Sequence, residues 1–143
     1  MAVVRATLIL SQSEIRRTFT DPASAPRVLV ARLASRTAER ARAEAPARTG
    51  ALRNSIQPEP TTLAGDTIRG GVRAAAEYGI FVHEGTRPHP IVAVRAQALR
   101  FVMNGQVVYA KSVKHPGTKP NRFFLRALNA EAPRLGFRVE PGR

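Results

Sequence analysis

Apolar positions recur at Val30, Leu33, Ala34, Thr37, Ala38, Ala41 and Ala45. This i, i+3, i+4, i+7 spacing predicts an amphipathic helix. Asp21-Pro-Ala-Ser-Ala-Pro26 precedes it as a breaker, with Ser24 as candidate N-cap and Pro26 near the first turn. Pro46 stops it after Ala45. Elsewhere the period shortens. Ala6–Leu10 and Asp66–Arg73 read as strands, the second weakened by Gly70 and Gly71. Gln12–Arg17 is expected to form a helical turn. Gly50 breaks the chain, and Leu52–Gln57 reads as the start of a strand, followed by a Pro- and Thr-rich loop over Pro58–Gly65. Ala74–Glu84 fits a short helix or a strand equally. Leu99–Met103 and Gln106–Ala110 flank Asn104-Gly105, a dipeptide that tolerates the positive φ of a type I′ turn, so this is a predicted hairpin. Gly85–Ala98 and Lys111–Lys119 lack any period and read as long exposed loops. Asn121 is placed to cap a last helix from Arg122 to about Glu131, with Phe124, Leu125 and Leu128 on its apolar side. Pro133 ends it, and a loosely held tail is expected over 132–143.

Together these elements predict one α+β domain spanning 1–143, with its core over about 6–131. It should hold a small mixed or antiparallel sheet with a β-hairpin, packed by a long N-terminal helix and a C-terminal helix. At 143 residues such a chain buries roughly two-thirds of its unfolded surface, enough for one core without staples. It has no cysteine, which removes disulfides and thiolate metal sites from consideration. The apolar run near the N-terminus precedes its basic residues, the reverse of a secretory signal. No apolar stretch reaches the roughly 18 residues of a membrane span, so no membrane partner is expected.

Charge adds a partner class. The formal net charge is +13, which favours contact with something anionic; Arg-rich codon usage is the alternative explanation. Arg32, Arg36 and Arg40 fall four apart, on the face opposite the apolar stripe. They form either a solvated stripe or a contact face for an acidic subunit or for DNA.

The sequence carries little recognisable chemistry. His83-Glu84-Gly-Thr-Arg-Pro-His89, with His115 further on, could supply zinc ligands. The helical zinc motif needs histidines four apart, however, and these are six apart with Gly85 and Pro88 between them. His83 is expected to pack or hydrogen-bond locally, with His89 and His115 in exposed loops. There is no nucleophile elbow, no phosphate-binding Gly-rich loop, and no obvious carboxylate pair among ten acidic residues. Catalytic residues, metal ligands and cofactors are therefore all set at none, and the chain is not expected to be an enzyme. No zinc finger, heptad-linked basic region or base-stacking aromatic strand is present either. Binding to nucleic acid would have to run through phosphates alone.

Three ordered segments carry a resemblance. They are Ala45-Pro-Ala-Arg-Thr-Gly-Ala-Leu-Arg-Asn-Ser-Ile56, Ala76-Glu-Tyr-Gly-Ile-Phe-Val-His-Glu-Gly-Thr86 and Pro120-Asn-Arg-Phe-Phe-Leu-Arg-Ala-Leu128. Following an N-terminal helix, this set resembles the neck or tail-completion proteins (head-proximal minor tail components) of long-tailed bacteriophages and related gene transfer agents. The resemblance covers about Val28–Ala130. It departs from shorter members in the stretch between Thr86 and Pro120, which includes the hairpin.

The resemblance implies a structural subunit of the virion neck, assembled in the host cytoplasm. Copies would form a ring, six-fold by analogy with tail tubes, joining the head connector or stopper to the tail terminator or tail-tube protein. DNA would pass through without sequence-specific contact. The subunit contacts it implies are Tyr78, Glu84, Gly85, Thr86, Arg87 and His89 from the second motif and the loop after it. His115, Asn121, Arg122 and Phe123 join them from the loop and motif that follow the hairpin. The competing expectation is a basic DNA-binding protein acting through phosphate contacts; a metal-dependent hydrolase built on His83 stands third.

Overall fold

Helix α1 (Ala25–Glu44) buries Val30, Leu33, Ala34, Thr37, Ala38 and Ala41, with Ala45 closing the row. The computed structural model that shows this describes residues 3–9, 21, 23–47, 50–65 and 67–140. The turn expected over Gln12–Arg17 lies outside the described residues. Ser24 does sit at the N-cap, and its carbonyl accepts the Val28 N–H at 3.0 Å, but its hydroxyl caps nothing. Pro26 follows within the first turn.

Against α1 lies an antiparallel sheet of order β1-β3-β2, built from β1 (Val3–Ile9), β2 (Ile56–Ala64) and β3 (Thr67–Ala74). Two expectations need correction here. Leu52–Gln57 is not one strand: α2 (Ala51–Ser55) precedes β2. Gly50, at φ 74°, turns the chain into α2, and its carbonyl accepts the Asn54 N–H at 3.0 Å. Nor is Pro58–Gly65 a loop; most of it is β2. Prolines are admitted there because β2 is an edge strand and because its register shifts between Glu59 and Thr62, so that Pro60 falls in the irregularity.

Alternation along β3 aims Ile68, Gly70, Val72 and Ala74 at α1. The glycine that weakens the strand pattern has a packing reason. A Cβ at Gly70 would come within 2.7 Å of Val30 Cγ1, so its absence sets how closely α1 approaches the sheet. Helix α3 (Gly79–Glu84) resolves the ambiguity over Ala74–Glu84 in favour of a helix.

Helix α4 (Phe123–Glu131) closes the core against α1. It has Arg122, not Asn121, at its N-cap. The Asn121 side chain instead accepts from Arg126 Nη2 at 2.8 Å. Phe123 and Phe124 are both fully buried, while Leu125 and Leu128 are half-buried. Beyond Pro133 the chain is tied down further than expected. A 3₁₀ turn spans Pro133–Leu135, Ala132 accepts the Phe137 N–H at 2.9 Å, and Phe137 packs on Val30 and Ile68.

The two expected loops pair with one another. Strand β4 (His89–Val92) lies antiparallel to β7 (Ser112–His115), and below them Thr86 bridges Thr118. Above them β5 (Leu99–Met103) and β6 (Gln106–Ala110) form the predicted hairpin, with Asn104 at φ 52° and Gly105 at φ 79°. Ala93 still keeps the lower register, bonding the Lys111 carbonyl at 3.0 Å. The register then changes by five residues, Val94–Ala98, all on the outgoing side. Residues 86–118 are thus one long two-stranded ribbon with Asn104-Gly105 at its tip. Sequence reasoning missed it because the pairing partners are distant in the chain and Pro88 and Pro90 hide the period.

Candidate assembly surface

The ribbon is fixed at its root by backbone. Thr86 and Thr118 exchange N–H···O bonds at 3.0 Å in both directions. The Thr118 N–H also reaches Thr86 Oγ1 at 3.0 Å. Two glycines make this crossing possible. Gly85 has φ 74° and ψ −178°, and a Cβ there would run into the Thr118 carbonyl and lie 2.8 Å from the Pro120 nitrogen. Gly117, at φ 87°, is held in the same way beneath the Thr86 carbonyl.

The ribbon carries apolar side chains on both faces. Phe101 pairs with Val108 on one face, with Leu99–Ala110 and Met103–Gln106 beside it. On the other, Val102 pairs with Val107 and Arg100 with Tyr109. Val102 and Tyr109 are 65% and 66% exposed. Ile91, Val92, Val94, Met103 and Val107 are exposed as well. Each ladder packs chiefly on its own partner strand, not on the helix–sheet core. From Gly85 to Lys119 the chain holds Arg87, Arg95, Arg100, Lys111, Lys114 and Lys119 and no acidic residue.

Beside the root lies an apolar groove of about 680 Å³, walled by Pro46, Ala51, Leu52, Tyr78, Phe81 and Val82, with Thr86, Thr118, Lys119 and Asn121 at its edge. Helix α3 presents Tyr78, Ile80 and Phe81 outward. Exposed Glu77 and Glu84 stand at its two ends.

The residues expected to form subunit contacts divide accordingly. Tyr78, Thr86 and Asn121 meet at the groove. Glu84, Arg87, His89 and Arg122 are exposed, and Gly85 is half-buried in the root. His89 and His115 are brought opposite one another by the β4–β7 register, with ring centroids 5.1 Å apart and the rings tilted by 36°. His83 is elsewhere. It is buried against Phe123, edge to face at 5.5 Å, and its Nδ1 donates to Glu84 Oε1 at 2.7 Å. No three His, Cys, Asp or Glu side chains converge as a metal site among the described residues. Phe123 must be removed from the contact set. The Asn121 N–H bonds the Val82 carbonyl at 3.0 Å, which draws the chain beneath α3 and leaves Phe123 wholly enclosed.

The basic face of α1 is also revised. Arg32 and Arg36 are exposed, but Arg40 is half-buried. Arg40 Nε bonds Glu44 at 3.0 Å, and Arg36 and Arg40 both reach the buried Glu131 carboxylate, at 3.7 and 3.4 Å. Arg126 joins Glu44 at 3.1 Å, and Arg134 joins Glu131 at 3.6 Å. Much of this face is therefore committed to holding α4 on α1. Glu131 was not foreseen as a centre, because one acid near a helix end carries no sequence signal of burial. The groove residues Leu52, Phe81 and Val82 were missed because they come from separate elements. The ribbon's need for cover had a legible signal: Leu99–Met103 and Gln106–Ala110 are apolar at almost every position, as in a strand covered on both faces, yet several of these side chains are exposed.

Compared with family models, curated proteins and solved structures, the chain matches none. Among the described residues no helix is long and apolar enough to cross a membrane.

Proposed function

We propose that this chain is a structural subunit of a phage neck, in which copies form a ring joining the head connector to the tail tube around the exiting DNA. The observation that carries the reading is the ribbon. A two-stranded ribbon is marginal in water on its own, and apolar side chains on both of its faces call for cover from another chain. An assembly subunit provides that cover once neighbours are in place. The three ordered motifs supply the particular assembly by resemblance, and the neck is where such a subunit would reside.

The test is complementation. Residues 87–117 are replaced by an Asn-Gly turn, which the Thr86–Thr118 bridge can accept as a tight hairpin end. The shortened chain should fold, and electron microscopy of particles made with it should show heads and tails unjoined. Fully joined particles would reject the reading. A basic DNA-binding role has one observation in its favour, the unbroken positive charge of Gly85–Lys119. It predicts duplex binding that weakens steeply with salt and no requirement for particle joining.

A further inference from the structure

Resting on the ring reading, we infer that the ribbon of one copy seats in the α3 groove of the next copy, so that subunits join arm to groove in one direction. Three features of the surface support this contact. The first is hydrophobic match. The ribbon offers Val102, Val107 and Tyr109, and the groove offers Tyr78 and Phe81 above the buried Leu52. Tyr78 and Phe81 are exposed, as are the three ribbon side chains, so these side chains are not covered within the chain. The second is charge. From Arg87 to Lys114 the ribbon carries Arg and Lys without a single acid, whereas Glu77 and Glu84 flank α3, with Lys119 the one charged side chain among the described residues lining the groove itself. Opposite potentials steer the docking and disfavour pairing of two ribbons, which would set like charges together. The third is geometry. The shorter strand, Gln106–Thr118, spans about 40 Å at ~3.3 Å per residue, while its root lies at the edge of its own groove. A ribbon leaving that edge reaches past its own groove towards a neighbour's. An arm-to-groove contact uses two different surfaces on each copy, the heterologous geometry from which closed rings are made.

Nucleic acid explains the charge of the ribbon but not the valines and the tyrosine spread over both of its faces. A protein groove explains both.

The experiment uses full-length protein treated with nuclease and sized by analytical ultracentrifugation and light scattering. One variant combines Val102→Glu with Tyr109→Glu; a second carries Phe81→Glu. All three positions are exposed, and circular dichroism checks that each variant folds. Should a glutamate variant fail that check, serine replaces it. Wild type should form a multi-subunit species. Each variant alone should fall to the 15.5 kDa monomer, with association weakened at least tenfold. An equimolar mixture should regain a 1:1 complex and nothing larger, since it holds one intact arm and one intact groove.

Wild-type mass retained by the Phe81→Glu variant would mean the copies meet elsewhere, ribbon to ribbon included. Assembly that vanishes on nuclease treatment would assign the ribbon to nucleic acid. A monomeric wild type, or a mixture that stays monomeric, would also overturn the contact. Failure of the ring reading looks different. A wild-type dimer that both variants abolish and mixing restores keeps the contact, as a reciprocal exchange, and discards the ring. A wild-type ring that survives Phe81→Glu does the reverse.

Discussion

Glu131 shows how the positive charge of this chain is used. Its carboxylate is nearly buried and is surrounded by Arg36, Arg40 and Arg134 at 3.4 to 3.7 Å. Other arginines bond backbone carbonyls: Arg27 to Thr61 at 3.0 Å, Arg42 to Ile56 at 2.9 Å and Arg53 to Ala45 at 2.7 Å. A guanidinium presents several donors in a fixed plane, so it can tie helix to strand where a lysine offers one point charge. Part of the +13 charge is therefore structural. Glu131→Ala would leave these cations without their common partner. Because the arginines are themselves partly solvated, the loss should be moderate, at or below the roughly 1.5–3 kcal/mol of a hydrogen bond to a charged group. Urea unfolding measures it, and an unchanged midpoint would mean the cluster is incidental to stability.

At the scale of elements, the crossing of Gly85 and Gly117 decides whether the ribbon forms. Gly85 occupies a backbone region that is essentially glycine-only, where another residue costs about 1–3 kcal/mol. Its missing Cβ also makes room for the Thr118 carbonyl. Gly85→Ala should therefore loosen the root while α1, the sheet and α4 keep their packing. The expected result is altered amide shifts from Thr86 to Thr118 with little change near Leu33 or Ile68. Uniform shifts throughout would show that root and core are one cooperative unit. Pairing of this kind explains why the two basic stretches read as loops. Their ladder joins residues from Ala93 and Lys111, 18 positions apart, out to Thr86 and Thr118, 32 apart, and no local period reports it.

For the molecule as a whole, the core and the ribbon differ in what stabilises them. The core has Leu33, Ile56, Ile68, Val72, Phe123 and Phe124 at no more than 2% exposure, which supplies the burial that drives folding. The ribbon has its ladder bonds and cross-strand pairs, which contribute roughly 0.2–1 kcal/mol each. In the monomeric Phe81→Glu variant, ribbon amides over Ile91–Ser112 should exchange with solvent faster than those of α1 and β3. In the wild-type assembly the same amides should become protected. Equal protection of ribbon and core in the monomer would mean that the ribbon is stable unaided and that its apolar faces do not depend on a neighbour.

Local periodicity by itself determined α1 with its buried stripe, the Asn104-Gly105 hairpin and the α+β class. Each of these depends on residues close together in the chain, on spacing or on the φ preference of a turn. Only the tertiary structure decided that Pro58 and Pro60 belong to an edge strand, that Phe123 is enclosed beneath α3, and that Arg40 serves Glu131. It alone joined Gly85–Ala98 to Lys111–Lys119 as a ribbon beside an apolar groove. Those outcomes depend on which distant segments meet, and one-dimensional spacing does not encode that meeting.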